Sequence, residues 1–173
     1  RVAPVTTQVS IPAALEAVAA AVADRVCFVF RGRHWSWREF DERTRRFGRH
    51  LVDAGLGLRR RPEDCANWES PHDHVALYLH NGNEYLEGML GAWKARCAPF
   101  NVNYRYVTDE LRYLLDDAST AAIIFHDCFA PLLAEVLPSL RRAPEVLLQV
   151  NDGSGHGLLD GARDYEEALA SAT

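Results

Sequence analysis

Lysine is almost missing from this 173-residue chain: of its 19 lysine and arginine residues, only Lys94 is lysine. Chemistry that needs a phosphate-loop lysine or a reactive amine therefore has a single candidate, and Lys94 stands beside Trp93 at the end of an apolar helix pattern, where capping or snorkelling is the simpler role. No run of about 18 apolar residues occurs, so no membrane span is predicted. Cysteine is sparse and scattered. Cys27, Cys65, Cys97 and Cys128 form no C-x-x-C pair and no dense framework, and they read as reduced, mostly buried small hydrophobes of a cytoplasmic protein. No G-x-S-x-G occurs and Ser154 has no neighbouring base pattern, which argues against a serine hydrolase. The remaining composition, 48% hydrophobic and 25% charged with a net charge of −5 and a mean hydropathy of −0.20, is that of a soluble globular chain. A pI near 5.8 argues against nucleic acid as the main partner. The apolar stretch 11–23 carries Glu16 and runs into Asp24-Arg25, which suits a helix and not a secretory signal.

Strands and helices alternate along the chain. A helix is predicted over 13–23, a strand over 26–30, then a tight turn at Arg31-Gly32-Arg33 into 34–37, giving a short hairpin. Ser36-Trp37-Arg38-Glu39 has capping-box spacing: the hydroxyl can accept a first-turn amide and the carboxylate can return the bond. Phe40, Thr44, Phe47, Leu51 and Ala54 then mark one face of a helix closed by Gly55. Residues 59–73, with three consecutive arginines and two prolines, read as an exposed connection. Strands are predicted over 75–79, 97–102, 121–125 and 145–150, and helices over 84–94, 108–117, 129–137 and 165–170. This alternation implies an α/β fold: a mostly parallel sheet of βαβ units with flanking helices, plus the short N-terminal β-hairpin. Residues 151–160 are polar and glycine-rich.

Phosphate-binding motifs fail on inspection. Gly55-Leu56-Gly57 leaves a helix instead of opening one and has Arg60 where a third glycine belongs, so it is a helix cap. Gly153-Ser154-Gly155-His156-Gly157 follows a strand but lacks the Gly-Lys-Ser/Thr ending. His72-Asp73-His74 has no third metal ligand nearby and reads as a solvated loop. His80 ends a strand on the side where doubly wound sheets bind ligands, although a bond to neighbouring backbone would also account for it. The run Asn101-Val102-Asn103-Tyr104-Arg105 leaves the next strand on the same side. There Asn101, Asn103, Tyr104 and Arg105 offer amide, phenol and guanidinium groups to a ligand crevice; the alternative is that the asparagines cap the loop and Arg105 faces water.

The tract 91–115, with Asn101-Val102-Asn103-Tyr104-Arg105-Tyr106-Val107 followed by Glu110-Leu111-Arg112-Tyr113-Leu114, resembles the second core motif of the adenylate-forming (AMP-binding) ligase superfamily. Trp35-Ser36-Trp37-Arg38-Glu39-Phe40 resembles the first. Asp24-Arg25-Val26, the strand 75–79 with Asn81, and residues 85–90 fall in the family's order, so the likeness runs from about residue 13 to 170. Within the superfamily the run is most similar to fatty-acyl and sterol-side-chain CoA ligases. The resemblance implies the N-terminal part of that fold, with 1–173 as a partial subdomain and the catalytic lysine, phosphate loop and C-terminal domain lying elsewhere. It implies ATP, Mg2+ and CoA as cofactors of the full-length enzyme and none bound to this segment. The implied substrate is a fatty or sterol-side-chain carboxylic acid. A cytoplasmic protein with no nucleic-acid partner stays the expectation from cysteine usage and pI, and a homodimer is one assembly this allows. No catalytic or metal-binding residue is expected here; Asn101, Asn103, Tyr104 and Arg105 are the expected crevice residues, on the CoA side.

Two other readings stay open at this point: a non-catalytic remnant that binds a ligand or partner through the same crevice, and an unrelated flavodoxin-like module that would require a cofactor. The sequence also departs from the family. Arg96 stands where the family usually has glycine, and a left-handed residue there costs about 1 kcal/mol or more, so a locally different helix end is expected. A segment cut from a larger domain should expose apolar surface and self-associate.

Overall fold

The computed structural model describes residues 9–172. Two compact units divide between Glu42 and Arg43.

In the first unit, α1 (Ile11–Ala21) begins two residues earlier than the apolar pattern suggests. Ser10 caps it, its hydroxyl accepting the Ala13 amide at 3.3 Å, and Pro12 sits in the first turn where its missing N–H costs nothing. Strands β1 (Val26–Phe30) and β2 (Arg33–Ser36) pair antiparallel. Arg31 at φ 48° and Gly32 at φ 77° form the connecting turn, the two positive angles that match a hairpin's twist. Phe28 stacks on the buried Trp35, with centroids 5.8 Å apart, and meets Phe40 edge-on at 5.3 Å. The capping box forms as its spacing predicts. The Glu39 amide donates to Ser36 Oγ at 3.2 Å and the Ser36 amide to Glu39 Oε2 at 2.8 Å, opening α2 (Trp37–Asp53).

The second unit holds a five-stranded, wholly parallel sheet. Its strands are β3 (His74–Tyr78), β4 (Ala98–Asn101), β5 (Thr120–His126), β6 (Val146–Val150) and β7 (Arg163–Asp164), in the order β4-β3-β5-β6-β7. Helices α3 (Asn83–Lys94), α4 (Thr108–Asp117), α5 (Ala130–Val136) and α6 (Tyr165–Ser171) join and flank them. Alternation along β3 sorts the core into two layers. Val75, Leu77 and Leu79 pack with Phe47 and Leu51 of α2, Ala92 of α3 and Tyr165 and Ala168 of α6. Ala76 and Tyr78 pack with Leu111 and Leu115 of α4 and Leu133 and Val136 of α5. Strand β7 has only two residues, too few for any hydrophobic period, which is why 151–164 reads as featureless in the sequence.

Small residues let α3 approach its neighbours. A Cβ on Gly88 would come within 2.9 Å of Ile124 and Leu77 side chains, and one on Gly91 within 2.5 Å of Phe47 and 2.9 Å of the Thr44 carbonyl. At the far end of α3 the expectation of a different helix end is corrected. Arg96 adopts the left-handed conformation itself, at φ 60°, and the cap bonds still form: the Cys97 amide donates to the Ala92 carbonyl at 2.8 Å.

The solvated-loop reading of His72-Asp73-His74 is corrected as well. His72 Nδ1 donates to the Arg96 carbonyl at 2.7 Å and His74 Nδ1 donates to the Ala118 carbonyl, so each histidine ties down the end of a helix, α3 or α4. Asp73 between them is buried, accepts the Gly57 amide at 2.9 Å and pairs with Arg59 at 2.6 Å. The motif is a brace at the N-terminal edge of the sheet.

Candidate functional site

Strand β3 hands the chain to α3 on one face of the sheet, while β5 hands it to α5 on the other. Loops that leave neighbouring strands in opposite directions open a crevice at their C-terminal ends, the usual ligand position in such sheets. His80 stands at that point. Its amide donates to His126 Nδ1 at 2.9 Å, which fixes the loop after β3 to the end of β5. Its exposed ring is surrounded by the Tyr104 and Phe129 rings, each with its centroid at 5.0 Å, and by His126 at 5.6 Å.

Beneath this rim, Tyr78 stacks on Phe129 at 4.1 Å. Its hydroxyl is buried without a hydrogen-bond partner among the described residues, and burial pushes the phenol pKa up to about 12. The neighbouring loops are held by a polar scaffold. Gln149, buried on β6, donates to Asp127 and to the Gly157 carbonyl and accepts the Leu159 amide at 2.8 Å. Asp152 accepts the Cys128 amide at 3.1 Å and the Ser154 amide at 2.9 Å. Burial alone would raise the Asp152 pKa, but the bonds from Cys128 and Ser154 outweigh it and hold the carboxyl well below the usual range. The Cys128 thiol goes the other way, up to about 12, through burial and the Asp152 carboxylate, so it is no nucleophile. The crevice is an aromatic and imidazole surface, and among the described residues no base-activated nucleophile faces it.

Of the sequence-predicted site residues, Tyr104 is brought to His80 and is 48% exposed. Asn103 accepts the Arg105 amide on its side-chain oxygen at 3.0 Å, an Asx turn that shapes the loop. Arg105 reaches back over the Tyr104 ring at 5.6 Å, and Asn101 ends β4 with an exposed side chain. His126, Phe129, Gln149 and Asp152 were not singled out in the sequence. The last residue of a parallel strand was their only signal, since His126 and Asp152 stand at or just beyond such ends. Among the described residues no three His, Cys, Asp or Glu side chains gather as a metal site would require, and no helix is long and apolar enough to cross a membrane.

A crevice of this kind, on a parallel sheet with helices on both faces, is that of a doubly wound α/β scaffold. The sequence profile of the AMP-binding enzyme family matches residues 15–170, and the chain belongs to that family. The medium-chain acyl-CoA ligase Mig of Mycobacterium avium is 48% identical over 168 residues, which are 97% of this chain and 30% of that protein. The 3-oxocholest-4-en-26-oate–CoA ligase of Rhodococcus rhodochrous is 31% identical over 153 residues, 88% of this chain and 25% of that protein. This chain thus spans under a third of the length of these curated relatives and corresponds to their N-terminal part. The fold recurs in the benzoate CoA ligase of Burkholderia xenovorans, with a TM-score of 0.73 at 16% identity over 96% of this chain and 29% of that one. It recurs also in the N-terminal domain of FACL13 from Mycobacterium tuberculosis, with a TM-score of 0.71 at 18% identity over 96% and 36%.

Proposed function

We propose that this chain is the N-terminal subdomain of an ATP-dependent fatty-acyl-CoA synthetase. In the reaction a fatty or sterol-side-chain carboxylate attacks the α-phosphorus of ATP, giving an acyl-adenylate and pyrophosphate. The CoA thiol then displaces AMP to give the thioester. The observation that carries the reading is the 48% identity to the Mycobacterium avium medium-chain ligase across 97% of the chain. The crevice on the parallel sheet supports it.

The residues here do not make a triphosphate site. Lys94 lies at the end of α3, and the loop 153–157 contains no lysine. We assign the phosphate loop, the Mg2+ contacts and the catalytic lysine to the additional length that the relatives have. The role of this chain is then to supply the sheet scaffold and one wall of the crevice, with Asn101, Asn103, Tyr104 and Arg105 on the CoA side. A cytoplasmic, homodimeric enzyme is part of the same proposal.

The test is ATP- and CoA-dependent thioester formation by the complete gene product, assayed across medium-chain, long-chain and sterol-side-chain acids. Turnover of at least one class, with AMP and pyrophosphate released, is expected. No thioester from any of them overturns the reading and favours a binding remnant of the same fold.

A further inference from the structure

A cavity of about 280 Å3 opens between the last turns of α2 and α6, lined by His50, Asp53, Ala54, Arg163, Ser171 and Ala172. None of these residues belongs to the crevice. The balance of donors and acceptors in the cavity is uneven. Arg163 donates to Ser171 Oγ at 3.2 Å and pairs with no carboxylate among the described residues, which leaves most of its five N–H donors open. Ser171 in turn donates to the Ala168 carbonyl at 2.9 Å, so its hydroxyl fixes the guanidinium and has no proton left to offer. The half-buried His50 ring makes no side-chain hydrogen bond among the described residues.

Acceptors, by contrast, are in part already used. Asp53 holds Arg49 at 2.8 Å. The carbonyls of His50, Leu51 and Val52 that end α2 accept the amides of Ala54, Leu56 and Gly55. A cation entering the cavity would find a guanidinium and an already paired carboxylate. An anion would find an open fork and an imidazole, beside the Asp53 carboxylate that Arg49 already pairs.

We propose that this cavity is a binding site for a small oxyanion, held in a two-pronged contact by Arg163 with His50 as the second donor and Ser171 as the residue that positions Arg163. Planar carboxylates and tetrahedral phosphates both fit a guanidinium fork. The charged groups facing His50 are Arg163 from β7 and Asp53 from its own helix, the latter shared with Arg49. Burial lowers the His50 pKa first, the Arg163 charge lowers it further, and Asp53 opposes both. An anion seated between the imidazole and the guanidinium cancels that repulsion, so His50 takes up a proton on binding and affinity rises as pH falls.

The test uses the complete gene product carrying histidines labelled at Cε1. His50 is assigned by a His50→Gln variant, and the protein is titrated separately with inorganic phosphate and with acetate at constant ionic strength set by sodium chloride. A saturable shift of the His50 resonance is expected with at least one of the two anions. Acetate keeps one charge across the range, so it reads the coupling cleanly: binding should be about threefold or more tighter at pH 6 than at pH 7.5. Arg163→Gln should weaken binding by about tenfold or more, since it removes a charge-assisted, two-pronged contact. Arg163→Lys, which keeps the charge without the fork, should fall between. Arg163 is exposed, so an unchanged thermal midpoint checks that these variants fold. No saturable shift with either anion, or an equal shift in Arg163→Gln, overturns the site. The outcome is independent of thioester-forming activity, so failure here leaves the proposed function untouched, and the reverse holds too.

Discussion

Arg43 and Glu87 form a two-pronged ion pair, Nε to Oε1 at 2.8 Å and Nη2 to Oε2 at 3.0 Å, with the Glu87 side chain wholly out of solvent. The same carboxylate accepts the Tyr165 hydroxyl at 2.9 Å and the Asn83 amide at 3.1 Å, while Arg43 also reaches Glu166. Burial opposes the Arg43 charge, but its bonds to Glu166 and Glu87 outweigh that, and its pKa is raised above the ordinary arginine value. One network therefore joins α2, α3 and α6. Removing one partner strands a buried charge, so Arg43→Met should destabilise by about 3–5 kcal/mol in denaturant unfolding. Tyr165→Phe, which removes one donor of several, should cost only about 1–2 kcal/mol. Equal losses would mean that the pair is not the dominant contact.

The close approach of α3 to α2 rests on Gly91, whose missing Cβ leaves room for Phe47 and the Thr44 carbonyl. A side chain can turn aside but the carbonyl of a packed helix cannot move freely. Gly91→Ala should therefore destabilise by about 1–3 kcal/mol through overpacking, although alanine is the better helix former. Gly157→Ala, where a Cβ meets nothing within 4 Å, is the control and should change stability by less than about 0.5 kcal/mol. Thermal unfolding of the two variants side by side decides it.

The pH dependence of stability can be traced in part to Asp152. Its folded-state pKa is depressed, so its contribution is fully present above the ordinary aspartate range and is lost as pH falls through about 4 toward the folded value. Asp152→Asn keeps one acceptor oxygen but cannot carry the charge. Between about pH 5 and pH 3 the wild type should thus lose more stability than the variant, measured by urea unfolding at each pH. A parallel loss in both would remove Asp152 from the account.

How much of this was legible in the sequence depends on the kind of signal. The capping box at Ser36 and Glu39, the periodicity of α2 and the alternation of strands and helices are local patterns, and the structure follows them. The sheet order, the two-residue β7 and the brace made by His72 and His74 are not local. Each depends on carbonyls or strands that lie 15 or more residues away in sequence, Arg96 for His72 and Ala118 for His74 among them. The crevice was half visible: the Tyr104 loop and His80 could each be placed at the end of a strand, but their meeting, and the hold of the His80 amide by His126 at the end of β5, depend on which strands are neighbours.

Arg96 shows where a local rule and the observed backbone disagree. Its left-handed conformation at φ 60° is strained for any residue with a Cβ, while its carbonyl stays bonded to His72. Arg96→Gly should relieve that strain and leave the carbonyl contact intact. The expected gain is up to about 1 kcal/mol, reduced by the extra freedom of glycine in the unfolded chain. Loss of stability in this variant would show instead that the Arg96 side chain contributes contacts worth more than the strain.

The crevice makes its own demand if it forms the CoA side of the proposed synthetase. His80 and Tyr104 meet edge to face at 5.0 Å, and this rim would contact a ligand without taking part in bond making. Removing such a contact lowers binding of ground and transition states alike, so Tyr104→Ala should raise the KM for CoA and leave kcat nearly unchanged. An aromatic contact of about 0.5–1.5 kcal/mol corresponds to a rise of roughly two- to tenfold. His126→Ala acts one step further back, by freeing the His80 amide that its Nδ1 holds. It should give a smaller rise in the same parameter and a measurable loss of thermal stability, whereas Tyr104→Ala, at an exposed ring, should alter stability little. Steady-state kinetics of the complete gene product with CoA as the varied substrate separate the two effects. A fall in kcat with an unchanged KM in Tyr104→Ala would place Tyr104 in the chemical step and not on the binding surface.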